Sequence, residues 1–157
     1  MIDNKTRIYP YGCQNIDNSD VESVVEILNS SNLTQGPTVP KFENLVRSYV
    51  GSKYAVATNS ATSALHIACL SIGLTEEKIA WTVPISFVAS ANCIIYCGAS
   101  IDFVDVNESD GLIDVDLLEV KLIKAKQVNK LPYALIAVHL GGNICDMKKI
   151  RQLSKEY

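Results

Sequence analysis

The sequence has no apolar run long enough to cross a lipid bilayer, and its first residues lack the apolar stretch of a signal peptide. We therefore expect a cytoplasmic protein without a membrane partner. Positive charge is also scarce, because 14 Lys and Arg residues stand against 17 Asp and Glu residues, for a net charge of −3. No basic stripe is present to follow a phosphate backbone, so nucleic acid is excluded as the main partner.

The glycine-rich patterns GxGxxG and GxxxxGK[ST] are absent, which speaks against a Rossmann dinucleotide site and a P-loop NTPase. Cysteines are few and odd in number, and they lie mostly in apolar surroundings, at positions 13, 69, 93, 97 and 145. We interpret them as reduced core residues, since a metal site at Cys93 and Cys97 would need further ligands nearby. No metal is expected.

Two helices are predicted in the first 50 residues. The capping-box spacing from Ser19 to Glu22 opens a helix that should end near Ser30. Pro40 opens a second helix, which should stop near Gly51. Between the two helices lies a link rich in turn-forming residues, SSNLTQGPTVP.

After residue 50 the pattern changes to short apolar segments that alternate with helical ones. Strands are predicted at 54–58, 78–83, 100–106 and 133–140, and helices at 62–72, 87–96, 115–125 and from 146 onward. Such alternation implies parallel pairing with right-handed crossovers, and strands this apolar are those that helices cover on both faces. The predicted fold class is therefore α/β, with a mostly parallel sheet and helices on both faces.

The turn NSATSAL, residues 59–65, carries the hydroxyls of Ser60, Thr62 and Ser63 among small side chains. A helix that starts at Thr62 would point its free N–H groups and its positive end into the crevice beyond the strands, where open sheets bind ligands. Such a terminus can bind a phosphate, and Ala61 would let the backbone come close. The alternative is that Ser60 or Thr62 only caps the helix.

Phe87 follows the next predicted strand and would lie at the mouth of the same crevice. An aromatic ring beside a phosphate site can stack on a flat heteroaromatic ligand. An ordinary core ring at the start of a helix is the alternative.

Five blocks in a fixed order carry a resemblance: LTQGPTVPKFE, YAVATNSATSALHIA, WTVPISFVASAN, GASIDFVDV and AVHLGGNICDM. This order resembles that of the DegT/StrS-type sugar aminotransferases, which are fold-type I enzymes that use pyridoxal 5′-phosphate. The resemblance covers nearly the whole chain. It implies that residues 51–157 are the first, incomplete part of the large cofactor-binding domain, after an N-terminal helical segment and substrate loop at 1–50.

The resemblance also implies roles for individual residues. The cofactor phosphate would contact Ala61 and Thr62, and Phe87 would stack on the pyridine ring. The sugar-nucleotide pocket would be lined by Tyr11, Ser31, Asn32, Leu33, Thr34 and Ala61. His139 falls in a V-H-x-x-G block near the cofactor, where we interpret it as a structural histidine, with a catalytic role as the alternative. His66 is interpreted as structural.

One branch of this family contains the blocks ATSAL and PISFVA almost as they stand here. Enzymes of that branch aminate C4 of a UDP-linked 4-keto-6-deoxy sugar on the route to pseudaminic acid. The resemblance therefore implies a UDP-keto-sugar as substrate and an amino-acid donor, L-glutamate. It also implies that the complete protein is a homodimer.

Two blocks of the family are missing from the 157 residues: the one with the acid that faces the pyridine nitrogen, and the one with the Schiff-base lysine. The lysines present, such as Lys121 and Lys124, are predicted to be solvated charges. No catalytic residue is therefore assigned, and the 157 residues alone are expected to be inactive. Two alternatives stay open: a non-catalytic remnant of a disrupted gene, and a phosphate-binding α/β module without chemistry.

Overall fold

The computed structural model describes residues 12–157, so Tyr11, one of the predicted sugar-nucleotide contacts, lies outside the described residues. The chain divides into two units, Met1–Ala57 and Thr58–Tyr157. The functional division predicted between residues 50 and 51 stays a prediction. Within the described part, no helix is long and apolar enough to cross a membrane.

The first helix, α1, spans Asn18–Leu28. Its capping box is formed by Asp17 and Asp20, and the box predicted at Ser19 and Glu22 is wrong. The Asp17 carboxylate accepts the N–H groups of Ser19 and Asp20. It also accepts the Ser19 hydroxyl at 2.6 Å, so the Ser19 side chain binds Asp17 and does not act as the N-cap of the helix. The hydrogen bond from the Ser19 hydroxyl is the main reason that the pKa of Asp17 lies below its usual value.

The second helix, α2, spans Thr38–Val50 and begins two residues before Pro40, which the first turn of a helix tolerates. It ends as predicted at Gly51, whose φ of 69° is a left-handed conformation that glycine adopts without a Cβ clash. Both helices therefore form where the sequence pattern predicts them, with ends shifted by a few residues.

The second unit is built on a three-stranded sheet of β1 (Ile79–Thr82), β2 (Ser100–Phe103) and β3 (Ala134–Leu135). The strand order is β2-β1-β3, and both pairings are parallel. The helices of this unit are α3 (Ala61–Ser71), α4 (Ala89–Tyr96), α5 (Val115–Gln127) and α6 (Met147–Glu156), with a 3-10 turn at Leu140–Gly142. The predicted alternation of strands and helices and the parallel pairing are confirmed.

Side chains of β1 and the residue after it point alternately into two apolar clusters, as expected of a strand buried on both faces. Trp81 and Val83 pack in a cluster with residues of α5 and α6, such as Leu118 and Leu153. Ala80 packs in the other cluster, with residues of α3 and α4. Helices therefore cover both faces of the sheet, and the predicted α/β fold class is confirmed.

The strand predicted at 54–58 is not formed, because no ladder partner lies beside it in the part of the chain that the structure describes. Instead, the backbone N–H of Ala57 donates to the Glu43 carboxylate of α2 at 2.9 Å. An apolar composition does not by itself supply a neighbouring strand. The last predicted strand is also shortened, to β3. Directly after β3, the Thr82 hydroxyl donates to the Ile136 carbonyl at 3.0 Å.

The five cysteines are free thiols in different surroundings. Cys69, Cys93 and Cys145 are buried and Cys97 is half-buried, in line with the predicted core packing, whereas Cys13 is exposed. Among residues 12–157, no group of three or more His, Cys, Asp or Glu side chains is arranged to bind a metal ion. Burial raises the pKa of the Cys69 thiol to about 11.

The cysteines should differ in reactivity, because the thiolate is the nucleophile and Cys69 stays protonated at pH 8. Alkylation of the folded protein with iodoacetamide at pH 8 is expected to label Cys13 more than about tenfold faster than Cys69, as measured by peptide mass mapping. In urea the two rates should converge. Equal labelling of the folded protein would contradict the buried position of Cys69.

Candidate functional site

The carboxyl edge of the sheet gathers most of the predicted site residues of the second unit. The helices α3 and α4 lead into the amino ends of β1 and β2, so their own N-termini lie towards the carboxyl edge. The turn before α3 and the loop at 83–88 therefore open on the same edge, and His139 follows β3 there as well. In open parallel sheets, ligands bind at this edge.

The helix α3 is capped by Ser60, the residue before its first turn. Ser60 has an extended backbone, and its Oγ accepts the backbone N–H of Ser63 at 3.2 Å. The Ser60 carbonyl accepts both the N–H of Ala64, at 3.1 Å, and the Thr58 hydroxyl, at 2.9 Å. The helix cap that the sequence left as an alternative to phosphate binding is therefore present.

The cap leaves part of the first helical turn free. The N–H groups of Ala61 and Thr62, and the Thr62 hydroxyl, have no hydrogen-bond partner among the described residues. These three donors lie at the positive end of an 11-residue helix, and the side chain at position 61 is a single methyl group. Such a set of donors fits the oxygens of a phosphate. Capping and phosphate binding are compatible here, because different residues serve each.

Phe87 lies in the loop between β1 and α4 with 75% of its surface exposed, so it is not a core ring. The loop is held by internal hydrogen bonds. The hydroxyls of Ser86 and Ser90 are 2.9 Å apart, and the Phe87 carbonyl accepts the N–H of Ser90 at 3.0 Å. An exposed ring on a held loop at the carboxyl edge can stack on a planar ligand.

His139 is held by the segment that follows it. Its Nδ1 accepts the backbone N–H of Cys145 at 3.2 Å, and the Cys145 thiol donates to the Val138 carbonyl at 3.2 Å. This contact supports the structural interpretation of His139. His66 packs edge-on against Tyr96, with ring centroids 5.4 Å apart, and so joins α3 to α4.

The predicted sugar-nucleotide loop, residues 31–34, lies in the first unit between α1 and α2, and all four residues are exposed. Ser31 and Asn32 line a cavity of about 410 Å³, together with Ser30 and Lys41. Hydroxyl, amide and ammonium groups on these residues are suited to a polar ligand. Leu33 and Thr34 do not line this cavity.

Asn59 is absent from the predicted site residues, yet it makes the shortest side-chain contact of the turn. The Ser63 hydroxyl donates to its Oδ1 at 2.7 Å. No sequence pattern marks this role, because asparagine before a serine is common in turns of many kinds. Only the spacing of Asn59 four residues before Ser63 hints at the contact.

Comparison with known proteins finds one family and several similar members of it. A model of the DegT/DnrJ/EryC1/StrS aminotransferase family matches residues 14–157. The UDP-4-amino-4,6-dideoxy-N-acetyl-beta-L-altrosamine transaminase of Campylobacter jejuni is 40% identical over 148 residues, which make up 94% of this chain and 38% of that protein. The spore coat polysaccharide biosynthesis protein SpsC of Bacillus subtilis is 33% identical over 157 residues, 100% of this chain and 39% of that protein.

Solved structures share the fold. Helicobacter pylori PseC, an aminotransferase involved in the biosynthesis of pseudoaminic acid, matches with a TM-score of 0.81 and 32% identity, over 96% of this chain and 39% of that chain. Spr1654 of Streptococcus pneumoniae, described as a sugar aminotransferase, matches in its PMP-form with a TM-score of 0.83 and 26% identity, over 95% of this chain and 36% of that chain. The same protein was also solved in its PLP-form. The chain thus spans less than two fifths of the length of each of these relatives.

Proposed function

The chain belongs to the DegT/DnrJ/EryC1/StrS aminotransferase family, and on this premise we propose that it is part of a pyridoxal phosphate-dependent aminotransferase that acts on a nucleotide-linked sugar. The observation that carries the proposal is the first turn of α3, where three donors of Ala61 and Thr62 have no partner among residues 12–157, although the helix is capped. Members of this family use pyridoxal phosphate, and a phosphate group is the ligand that this set of donors fits.

The chain's own residues would bind and orient the cofactor. The N–H groups of Ala61 and Thr62 and the Thr62 hydroxyl would donate to the phosphate, whose charge the positive end of α3 would offset. Phe87, exposed at the same edge of the sheet, would stack on the pyridine ring. When bound, the cofactor supplies the carbonyl carbon and the electron-withdrawing ring that transfer of an amino group requires.

The proposed substrate is a UDP-linked 4-keto-6-deoxy sugar that is aminated at C4, with L-glutamate as the amino donor. This assignment is supported by the 40% identity to the Campylobacter jejuni transaminase, whose name specifies a UDP-4-amino-4,6-dideoxy sugar. The similarity to Helicobacter pylori PseC supports a role in pseudaminic acid or related surface-sugar biosynthesis. Residues 31–34, with Tyr11 and Ala61, are proposed to bind the sugar nucleotide, and a homodimer is proposed as the working form.

The direct test is an assay of the protein at its full natural length. With L-glutamate and a UDP-4-keto-6-deoxy-N-acetylhexosamine, it should form 2-oxoglutarate and a 4-amino sugar nucleotide, both measured by mass spectrometry. Omission of glutamate is the control. Binding of pyridoxal phosphate without turnover of the keto sugar would instead favour a phosphate-binding module.

Replacement of Phe87 by alanine tests the stacking role. Because this ring is 75% exposed, the fold should be unaffected. A stacking energy of about 0.5–1.5 kcal/mol predicts that Kd rises by about 2- to 13-fold for pyridoxal phosphate and by a similar factor for pyridoxal, measured by absorbance titration of the apoprotein. Phe87→Tyr keeps the ring and should bind like the wild type. A loss confined to pyridoxal phosphate would contradict stacking.

A further inference from the structure

The side chain of Asn59 organises the hydroxyls of the turn before α3. The Ser63 hydroxyl donates to Asn59 Oδ1 at 2.7 Å, and the Ser60 hydroxyl lies 3.0 Å from Ser63 Oγ and 3.5 Å from Asn59 Oδ1. Because the Ser63 proton goes to Asn59, Ser63 Oγ is left to accept the proton of Ser60. The two serine hydroxyls therefore form one series of hydrogen bonds, from Ser60 to Ser63 and from Ser63 to Asn59.

These hydrogen bonds lie next to the cap of α3, which uses one of two available backbone N–H groups. An N-cap side chain can accept either the second or the third N–H of a helix. Here Ser60 Oγ is held beside Ser63 Oγ and accepts the third, that of Ser63, at 3.2 Å. The second, that of Thr62, has no acceptor within the part of the chain that the structure describes. If the serine hydroxyls were released, Ser60 could turn to the Thr62 N–H and compete with an anion for it.

We propose that Asn59 is a positioning residue for the phosphate site, acting through Ser63 and Ser60 to keep the Thr62 N–H available. This inference rests on the proposed function, in which Ala61 and Thr62 contact the cofactor phosphate. Asn59 itself donates nothing to the phosphate in this arrangement. Its effect should therefore be specific for the phosphate group, and it should disappear once Ser63 has lost its hydroxyl.

The test compares Kd for pyridoxal phosphate with Kd for pyridoxal, which lacks the phosphate, in the full-length apoprotein. Their ratio is the phosphate preference. Asn59→Ala is expected to lower this preference about three- to tenfold, the effect of one misdirected hydrogen bond, and to leave Kd for pyridoxal unchanged. Ser63→Ala should lower it by a similar factor. In the double variant the phosphate preference should fall no further than in the more affected single variant, since both changes break the same series of hydrogen bonds.

Independent, multiplying losses in the double variant would overturn the proposal, and so would an equal weakening of pyridoxal binding by Asn59→Ala. Asn59→Asp guards against a folding defect, because its carboxylate still accepts the Ser63 proton and should keep the melting temperature of the wild type. In high salt, where the added charge is screened, this variant should keep the phosphate preference of the wild type, because the hydrogen bond from Ser63 remains. A preference as low as that of Asn59→Ala under the same conditions would also overturn the proposal. A wild-type protein without any phosphate preference would overturn the proposed cofactor site itself.

Discussion

Replacing Ala61 with glutamate is expected to abolish phosphate-dependent binding of pyridoxal phosphate while the fold stays intact. Ala61 is exposed at the first position of α3, so a longer side chain has room. A carboxylate there would stabilise the helix by about 0.3–1 kcal/mol, because it faces the positive end of the dipole. The same carboxylate would take the place of the phosphate and repel it.

The expected loss is large. Two like charges about 4 Å apart repel by about 4 kcal/mol at an effective dielectric constant of about 20, which corresponds to about a thousandfold in Kd. The measurement is an absorbance titration of the apoprotein with pyridoxal phosphate, repeated in high salt, where part of the repulsion should be screened.

Ala61→Gln is the matched control, because glutamine has the size of glutamate without its charge. It should weaken binding far less than Ala61→Glu, and the difference isolates the electrostatic contribution. Equal losses in the two variants would mean that position 61 acts only through steric bulk. No loss in either variant would contradict a phosphate at the first turn of α3.

The fold was largely predictable because its signal is repeated along the chain. Each apolar segment of the second unit is followed by a helical one, and alternation of this kind admits few topologies. The segment at 54–58 shows where this reasoning fails. Its composition matches that of the other predicted strands, but a strand also requires a neighbour, and Ala57 bonds the Glu43 carboxylate instead. Pairing depends on distant residues and cannot be derived from a window of five.

The part of the site that consists of backbone N–H groups was predictable from the sequence. Ala61 and Thr62 are singled out by a helix start, and helix starts leave free N–H groups whatever side chains follow. Contacts between side chains were not predictable in the same way. The capping box was predicted at Ser19 but is formed by Asp17, and the contact of Asn59 with Ser63 was not predicted. In both places several nearby oxygens compete for the same donors, and small differences in geometry decide between them.

Leu118→Ala should be the most destabilising of the substitutions considered. Leu118 is 2% exposed and packs in the cluster of Trp81 and Val83, which lie on β1 and directly after it. Loss of a buried leucine side chain leaves a cavity and lowers the free energy of unfolding by about 2–5 kcal/mol. Since domains are stable by only about 5–15 kcal/mol, urea unfolding of the full-length protein should show a clear shift of the midpoint.

Leu117→Ala provides the control, because Leu117 precedes Leu118 on the same helix but is 47% exposed. It should change the free energy of unfolding by no more than about 0.5 kcal/mol.

The effect of Leu118→Ala on cofactor binding can be separated from its effect on stability. The cluster lies beneath the strand that leads to Phe87, so Leu118→Ala should weaken cofactor binding only as far as it populates unfolded protein. Weaker binding in conditions where the variant is fully folded would mean instead that the cluster sets the position of the loop at 83–88.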